Sequence, residues 1–111
     1  MAFVRVCSVE DLWEGEMASF EINGHEILLL CAEGGEIKAF QGSCPHQDIP
    51  LVEGKFDGKT LVCRAHQWVF DACTGTGINP ADCRLASYPV KIEDNQIYVD
   101  TANVTPLFAH T

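Results

Sequence analysis

Two short segments in the middle of the chain hold the residues best suited to chemistry: Cys44-Pro45-His46 and, sixteen residues further on, Cys63-Arg64-Ala65-His66. Each offers one thiol and one imidazole. A tetrahedral zinc site takes such a donor set, but its usual form pairs Cys with Cys and His with His. Here the pairs are mixed. A [2Fe-2S] cluster with two Cys on one iron and two His on the other suits mixed pairs, because two loops that each supply one of each grip both irons from opposite sides. A zinc-stabilised interaction module is the competing reading. Colour separates the two, since an iron-sulfur protein absorbs visible light and bleaches on reduction.

Such ligands need a rigid support, and the rest of the chain reads as strands. Short alternating or apolar runs bounded by turn residues occur over 2–6, 16–22, 25–31, 36–40, 60–63, 68–71, 89–92 and 96–100. Asn23-Gly24 separates two of them and is the preferred pair for a two-residue hairpin, because both positions tolerate positive φ. Glu33-Gly34-Gly35 and Glu93-Asp94-Asn95 read as further strand connections, and Ser8 as the cap of a short helical turn through Leu12. The stretch 41–83 holds five of the nine Gly and three of the five Pro. It is expected to be a loop-rich, cluster-binding insertion in a single domain spanning 1–111.

At 111 residues, with 47% hydrophobic and 21% charged side chains, the chain can bury a modest core, and neither disorder nor a fibrous repeat is suggested. The longest apolar run, Ile27 to Ala32, is far short of the ~20 residues of a bilayer span. No secretory signal is visible at the start, so a cytoplasmic location is expected. Seven Lys plus Arg against sixteen Asp plus Glu give a charge of −9. That balance disfavours nucleic acid and anionic membranes and suits a basic partner. In a reducing compartment, six cysteines argue for metal ligation rather than a disulfide framework.

The C-x-H and C-x-x-H pair resembles the Rieske signature. The runs Cys44-Pro45-His46-Gln47, Cys63-Arg64-Ala65-His66-Gln67-Trp68-Val69-Phe70 and Gly77-Ile78-Asn79-Pro80-Ala81-Asp82-Cys83 are similar to the small Rieske ferredoxin of toluene monooxygenase systems, over nearly the whole chain. The resemblance implies an all-β Rieske fold, an antiparallel β-sandwich with a smaller loop-rich cluster-binding subdomain. It implies one [2Fe-2S] cluster per chain, with Cys44 and Cys63 on the inner iron and His46 and His66 on the outer. Gln47, Gln67, Trp68 and Pro80 would shield the cluster or dock partners.

The implied function is one-electron transfer from a flavin-containing NADH reductase to a diiron hydroxylase acting on an aromatic hydrocarbon, by a monomer forming transient complexes. A ferredoxin of an aromatic-ring dioxygenase is the alternative within the family. The chain is then no enzyme itself, and it offers no nucleophile paired with a base. High-potential members carry two further cysteines and a serine near the cluster, where this chain has Ile49, Ala65 and Trp68. Fewer donors to the sulfurs imply a potential toward the low part of the range, roughly −150 mV rather than +300 mV.

The remaining candidates have plainer roles. Cys7, Cys31, Cys73 and Cys83 read as small buried hydrophobes. His25 and His110 are expected on the solvated surface, together with the acidic residues Glu10, Asp11, Glu14, Glu16, Glu93 and Asp94. For Trp68, core packing and exposure at the cluster end are balanced alternatives.

Overall fold

A computed structural model describes residues 3–44, 49–64, 68–72, 74–79, 84–102 and 104. Its strands are β1 (Phe3–Ser8), β2 (Met17–Ile22), β3 (His25–Ala32), β4 (Glu36–Gln41), β5 (Lys55–Phe56), β6 (Thr60–Val62), β7 (Val69–Asp71), β8 (Gly77–Asn79), β9 (Ser87–Tyr88), β10 (Val90–Glu93) and β11 (Gln96–Asp100). They form three antiparallel sheets with strand orders β1-β11-β10, β2-β3-β4-β9 and β5-β6-β7-β8. The all-β sandwich expected from the sequence is the fold observed. Among the described residues no helix is long and apolar enough to cross a membrane.

The β2-β3-β4-β9 sheet is the middle layer, and β3 shows why. Successive side chains of a strand point to opposite faces. Leu28, Leu30 and Ala32 enter one core with Phe40, Leu61 and Phe70, whereas Ile27, Leu29 and Cys31 enter a second core with Ile97 and Val99. The apolar run that breaks alternation in the sequence is therefore a strand buried on both faces. One core is shared with the β5–β8 sheet and the other with the β1-β11-β10 sheet.

Turn chemistry sets the connections. Asn23 and Gly24 have φ of 52° and 81°, the left-handed values of the expected two-residue hairpin, and Met17–Ile22 pairs with His25–Leu30 without a break. Asp94 and Asn95, with φ of 52° and 63°, join β10 to β11 in the same way. Ser8 caps a 3-10 turn, Val9–Asp11, and the Asp11 carboxylate accepts from the Ser8 N–H in return.

The segment expected to be loop-rich holds a complete four-stranded sheet. Two of its strands, β6 and β7, follow the apolar runs at 60–63 and 68–71. β5 is only two residues long, and β8 pairs with β7 across an irregular register. A second 3-10 turn, Leu51–Glu53, follows Pro50 and buries Leu51 completely.

The hairpin joining β5 to β6 is closed by Asp57, whose carboxylate accepts from the Lys59 and Thr60 N–H groups at 2.9 and 2.7 Å and from the Thr60 hydroxyl at 3.1 Å. The Thr60 N–H, then that of Lys59, holds the Asp57 carboxyl below its usual pKa. A group depressed in the folded state stabilises above its unfolded pKa of about 3.9 and loses that contribution as pH falls through the folded value. Asp57→Asn is therefore expected to lower the melting temperature at neutral pH, with the gap to wild type closing in strong acid. A gap that stays constant with pH would show that the charge plays no part.

Candidate metal centre

Two cysteines lie just past strand ends, one beyond the β2-β3-β4-β9 sheet and one beyond the β5-β6-β7-β8 sheet. Cys44 follows the end of β4, and Cys63 follows β6 directly. Both are fully buried in the core that also holds Leu28, Leu51, Leu61 and Phe70. Although the loops differ in sequence, their closure is the same. The Cys44 N–H donates to the Ile49 carbonyl at 2.9 Å, and the Cys63 N–H donates to the Trp68 carbonyl at 2.8 Å, five residues on in each case. Ile49 and Trp68 then pack, partly buried, against that core. Trp68 is half-buried: it packs against the core and keeps some exposed surface, so both alternatives keep support.

His46, Gln47, His66, Gln67 and Pro80 lie outside the described residues, as do Cys73, Cys83 and His110. What the structure places is Cys44 and Cys63, shielded from water in a common apolar environment. That fits a cluster whose thiolate-bound iron is inner. The other two described cysteines differ. Cys7 and Cys31 are buried in the second core, and burial pushes both thiols above their ordinary pKa, with nearby Asp11 adding to the effect at Cys7 and Glu14 and Glu16 at Cys31. They match the expected role of small buried hydrophobes.

His25 requires a correction. It was expected to be a solvated surface residue, but it is half-buried, with Nδ1 3.2 Å from the Tyr88 hydroxyl and its ring edge-on to the Tyr88 ring at 5.9 Å. Tyr88 is buried, which raises its pKa, and the imidazole gives its hydroxyl a partner.

Three features of the support were not singled out from the sequence. Gln41, fully buried at the end of β4, donates from Nε2 to the Ser43 carbonyl and accepts at Oε1 from the Ala86 N–H, both at 2.8 Å. It ties the start of the first cysteine loop to the chain entering β9. Gly54 sits where a Cβ would collide with the Val62 carbonyl oxygen, one residue before Cys63. Arg64 reaches Glu53 at 2.9 Å and links the second loop to the 3-10 turn after the first. Both partners are largely exposed, so this ion pair guides geometry more than it stabilises. Gln41→Leu leaves a half-buried carbonyl and a buried N–H without these partners and is expected to cost about 2 kcal/mol. Denaturant midpoints of the two proteins measure it, and a loss below about 1 kcal/mol would show that the bridge is dispensable.

The profile of the Rieske [2Fe-2S] domain matches residues 2–89. The ferredoxin component of the alkene monooxygenase system of Xanthobacter autotrophicus is 46% identical over 101 residues, covering 89% of this chain and 81% of that one. The ferredoxin component of biphenyl 2,3-dioxygenase from Rhodococcus jostii is 39% identical over 101 residues, covering 90% and 94%. Among solved structures, a chain in the complex of reduced oxygenase and oxidized ferredoxin of carbazole 1,9a-dioxygenase superposes with a TM-score of 0.80 at 25% identity, covering 87% of this chain and 91% of that chain.

Proposed function

Given that the chain belongs to the Rieske [2Fe-2S] domain family, we propose that it is the one-electron carrier of a multicomponent monooxygenase. It takes electrons from a flavin-containing NADH reductase and delivers them singly to a diiron hydroxylase that oxidises an aromatic hydrocarbon. The observation supporting a cluster-bearing carrier is the pair of fully buried cysteines, each with its N–H bonded to the carbonyl five residues on, and the 46% identity to a monooxygenase ferredoxin component supports the monooxygenase.

Cys44 and Cys63 would hold the inner iron of a single Rieske-type [2Fe-2S] cluster, and His46 and His66 would hold the outer. When bound, the cluster supplies a site that accepts and releases one electron. The chain's own contributions are positional. The apolar core keeps water from the thiolates, the two backbone bonds hold both loops to one span, and Gln41 anchors the first loop. Gln47, Gln67, Trp68 and Pro80 would shield the cluster or meet partners. The cluster-binding part is the stretch 41–83 of one domain, 1–111. We place the protein in the cytoplasm as a monomer forming transient complexes.

The likeness to the biphenyl dioxygenase ferredoxin component favours a second reading, a carrier for an aromatic-ring dioxygenase. One reconstitution tests both. The purified protein is mixed with NADH, a reductase, and either a diiron hydroxylase or a ring dioxygenase, and oxygen-dependent product is followed. The proposal expects product with the hydroxylase that depends on this protein, and bleaching of its visible spectrum by NADH and reductase alone. Turnover with the dioxygenase only would decide for the second reading, and absence of bleaching would overturn both.

A further inference from the structure

Far from the cysteine loops lies a groove that the electron-carrier reading does not use. It is lined by Val9, Leu12, Ile37 and Cys31 and flanked by Trp13 and Ile92, which are 69% and 51% exposed. Trp13 is exposed yet held in place. Its indole N–H donates to the Glu10 carbonyl and its backbone N–H to the Glu16 carboxylate, both at 2.8 Å. A large aromatic ring whose orientation is already set loses little freedom on being covered, which is the condition under which a tryptophan dominates an interface.

The rim is acidic. Glu10 and Glu14 line the groove, Asp11 lies beside them, and Glu93 and Asp94 follow Ile92 in a turn drawn to Val9 by a bond from the Val9 N–H to the Asn95 carbonyl at 2.9 Å. Two cations adjoin groove residues in sequence and both are paired: Lys38 with Glu36 at 2.6 Å, and Lys91, which also lies over the Phe3 and Tyr98 rings, with Glu93 at 3.5 Å.

The groove includes Gly35, at the turn before β4, whereas Cys44 lies beyond the other end of that strand. The six residues of β4 alone separate them by about 17 Å. The β5-β6-β7-β8 sheet runs the same way. Its β5–β6 turn meets the β3–β4 turn through the Glu33 N–H to Gly58 carbonyl bond at 2.8 Å, with Cys63 at the opposite end of β6.

We propose that this groove is a second docking surface, holding a protein of the same electron-transfer chain through an apolar side chain ringed by Lys or Arg while the cluster end stays free. Charge selects that occupant. The chain carries −9, and a second copy facing this groove with its own would set carboxylates against carboxylates. Attachment away from the cluster keeps carrier and partner at high effective concentration between transfers.

The inference rests on the carrier reading, and the experiment separates the two. Binding of the cluster-loaded protein to the purified reductase and to the purified oxygenase component is measured by calorimetry at low and high salt, for wild type, Trp13→Ser, Ile92→Lys and the double variant Glu10→Gln with Glu14→Gln. With the visible spectrum intact, Trp13→Ser and Ile92→Lys are expected to weaken binding to one component about tenfold or more. The double variant should lose part of the salt dependence. The rate of electron transfer at saturating protein should be unchanged.

Equal affinity of all variants for both components, with wild-type transfer intact, overturns the groove and spares the carrier. A wild type that neither binds nor reduces either component overturns both. A concentration-dependent dimer dispersed by Trp13→Ser would assign the groove to a second copy and refute the proposal.

Discussion

Replacing Cys44 or Cys63 by serine is expected to give a protein that purifies without visible colour and with iron and sulfide reduced at least about tenfold, the scale on which even the partners of metal ligands act. Both side chains are fully buried in one core, so a serine there brings a hydroxyl that stays protonated and an acceptor the apolar surroundings do not satisfy. It neither offsets the iron's charge nor packs as a thiol does. Cys7 and Cys31 are the internal controls. They are buried to a similar degree, but in the second core, so Cys7→Ser and Cys31→Ser should lose some stability and keep their iron. Chemical analysis of the four variants measures this. Full iron in either Cys44→Ser or Cys63→Ser, or equal loss in all four, would refute the assignment of the thiols.

The second large effect is expected at Gly54, from the addition of one methyl group. Its φ of −86° is open to any residue, so glycine is required there by space alone. An alanine Cβ would fall on the Val62 carbonyl oxygen, which is backbone and cannot rotate away. Val62 pairs with Lys55 across β5 and β6 and is followed directly by Cys63. Relief of the clash must therefore move either the strand pair or the base of the second loop. Gly54→Ala is expected to cost about 3 kcal/mol or more, at the upper end of overpacking effects, and to lose its cluster faster on dilution than wild type. Thermal midpoints and the decay of visible absorbance measure the two consequences. A variant that melts like wild type would mean that the backbone yields there without cost.

Where a single element carries its own signal, the sequence was enough. The hairpin at Asn23-Gly24, the Ser8 cap and the longer strands follow from turn chemistry and hydrophobic period. β5 and β9 are two residues each, too short for a period to show, and they exist because longer neighbours pair with them. Gly54, Gln41 and His25 were missed for a related reason. Each owes its role to chain that passes close in space, and the contact of His25 with Tyr88 spans 63 positions. The Trp13 ring is legible as a tryptophan, but its exposure depends on which face of the adjoining sheets is left uncovered.

The double-sided burial of β3 bears on how the chain finds its pairing during folding. A strand with one wet face is kept from sliding by a single residue, because the slip would turn its apolar set into water. From Ile27 to Ala32 both faces are apolar, so that safeguard is absent: a slipped strand would exchange Ile27, Leu29 and Cys31 for Leu28, Leu30 and Ala32 and still be dry on both sides. The information that excludes this alternative must come from the ends of the strand. Asn23-Gly24 leads into it, and the Glu33-Gly34-Gly35 turn, with φ of 95° and 85° at its glycines, leads out. These two exposed turns are therefore alignment marks for the most buried strand of the molecule, and a residue inserted in either would misfile a core it never touches.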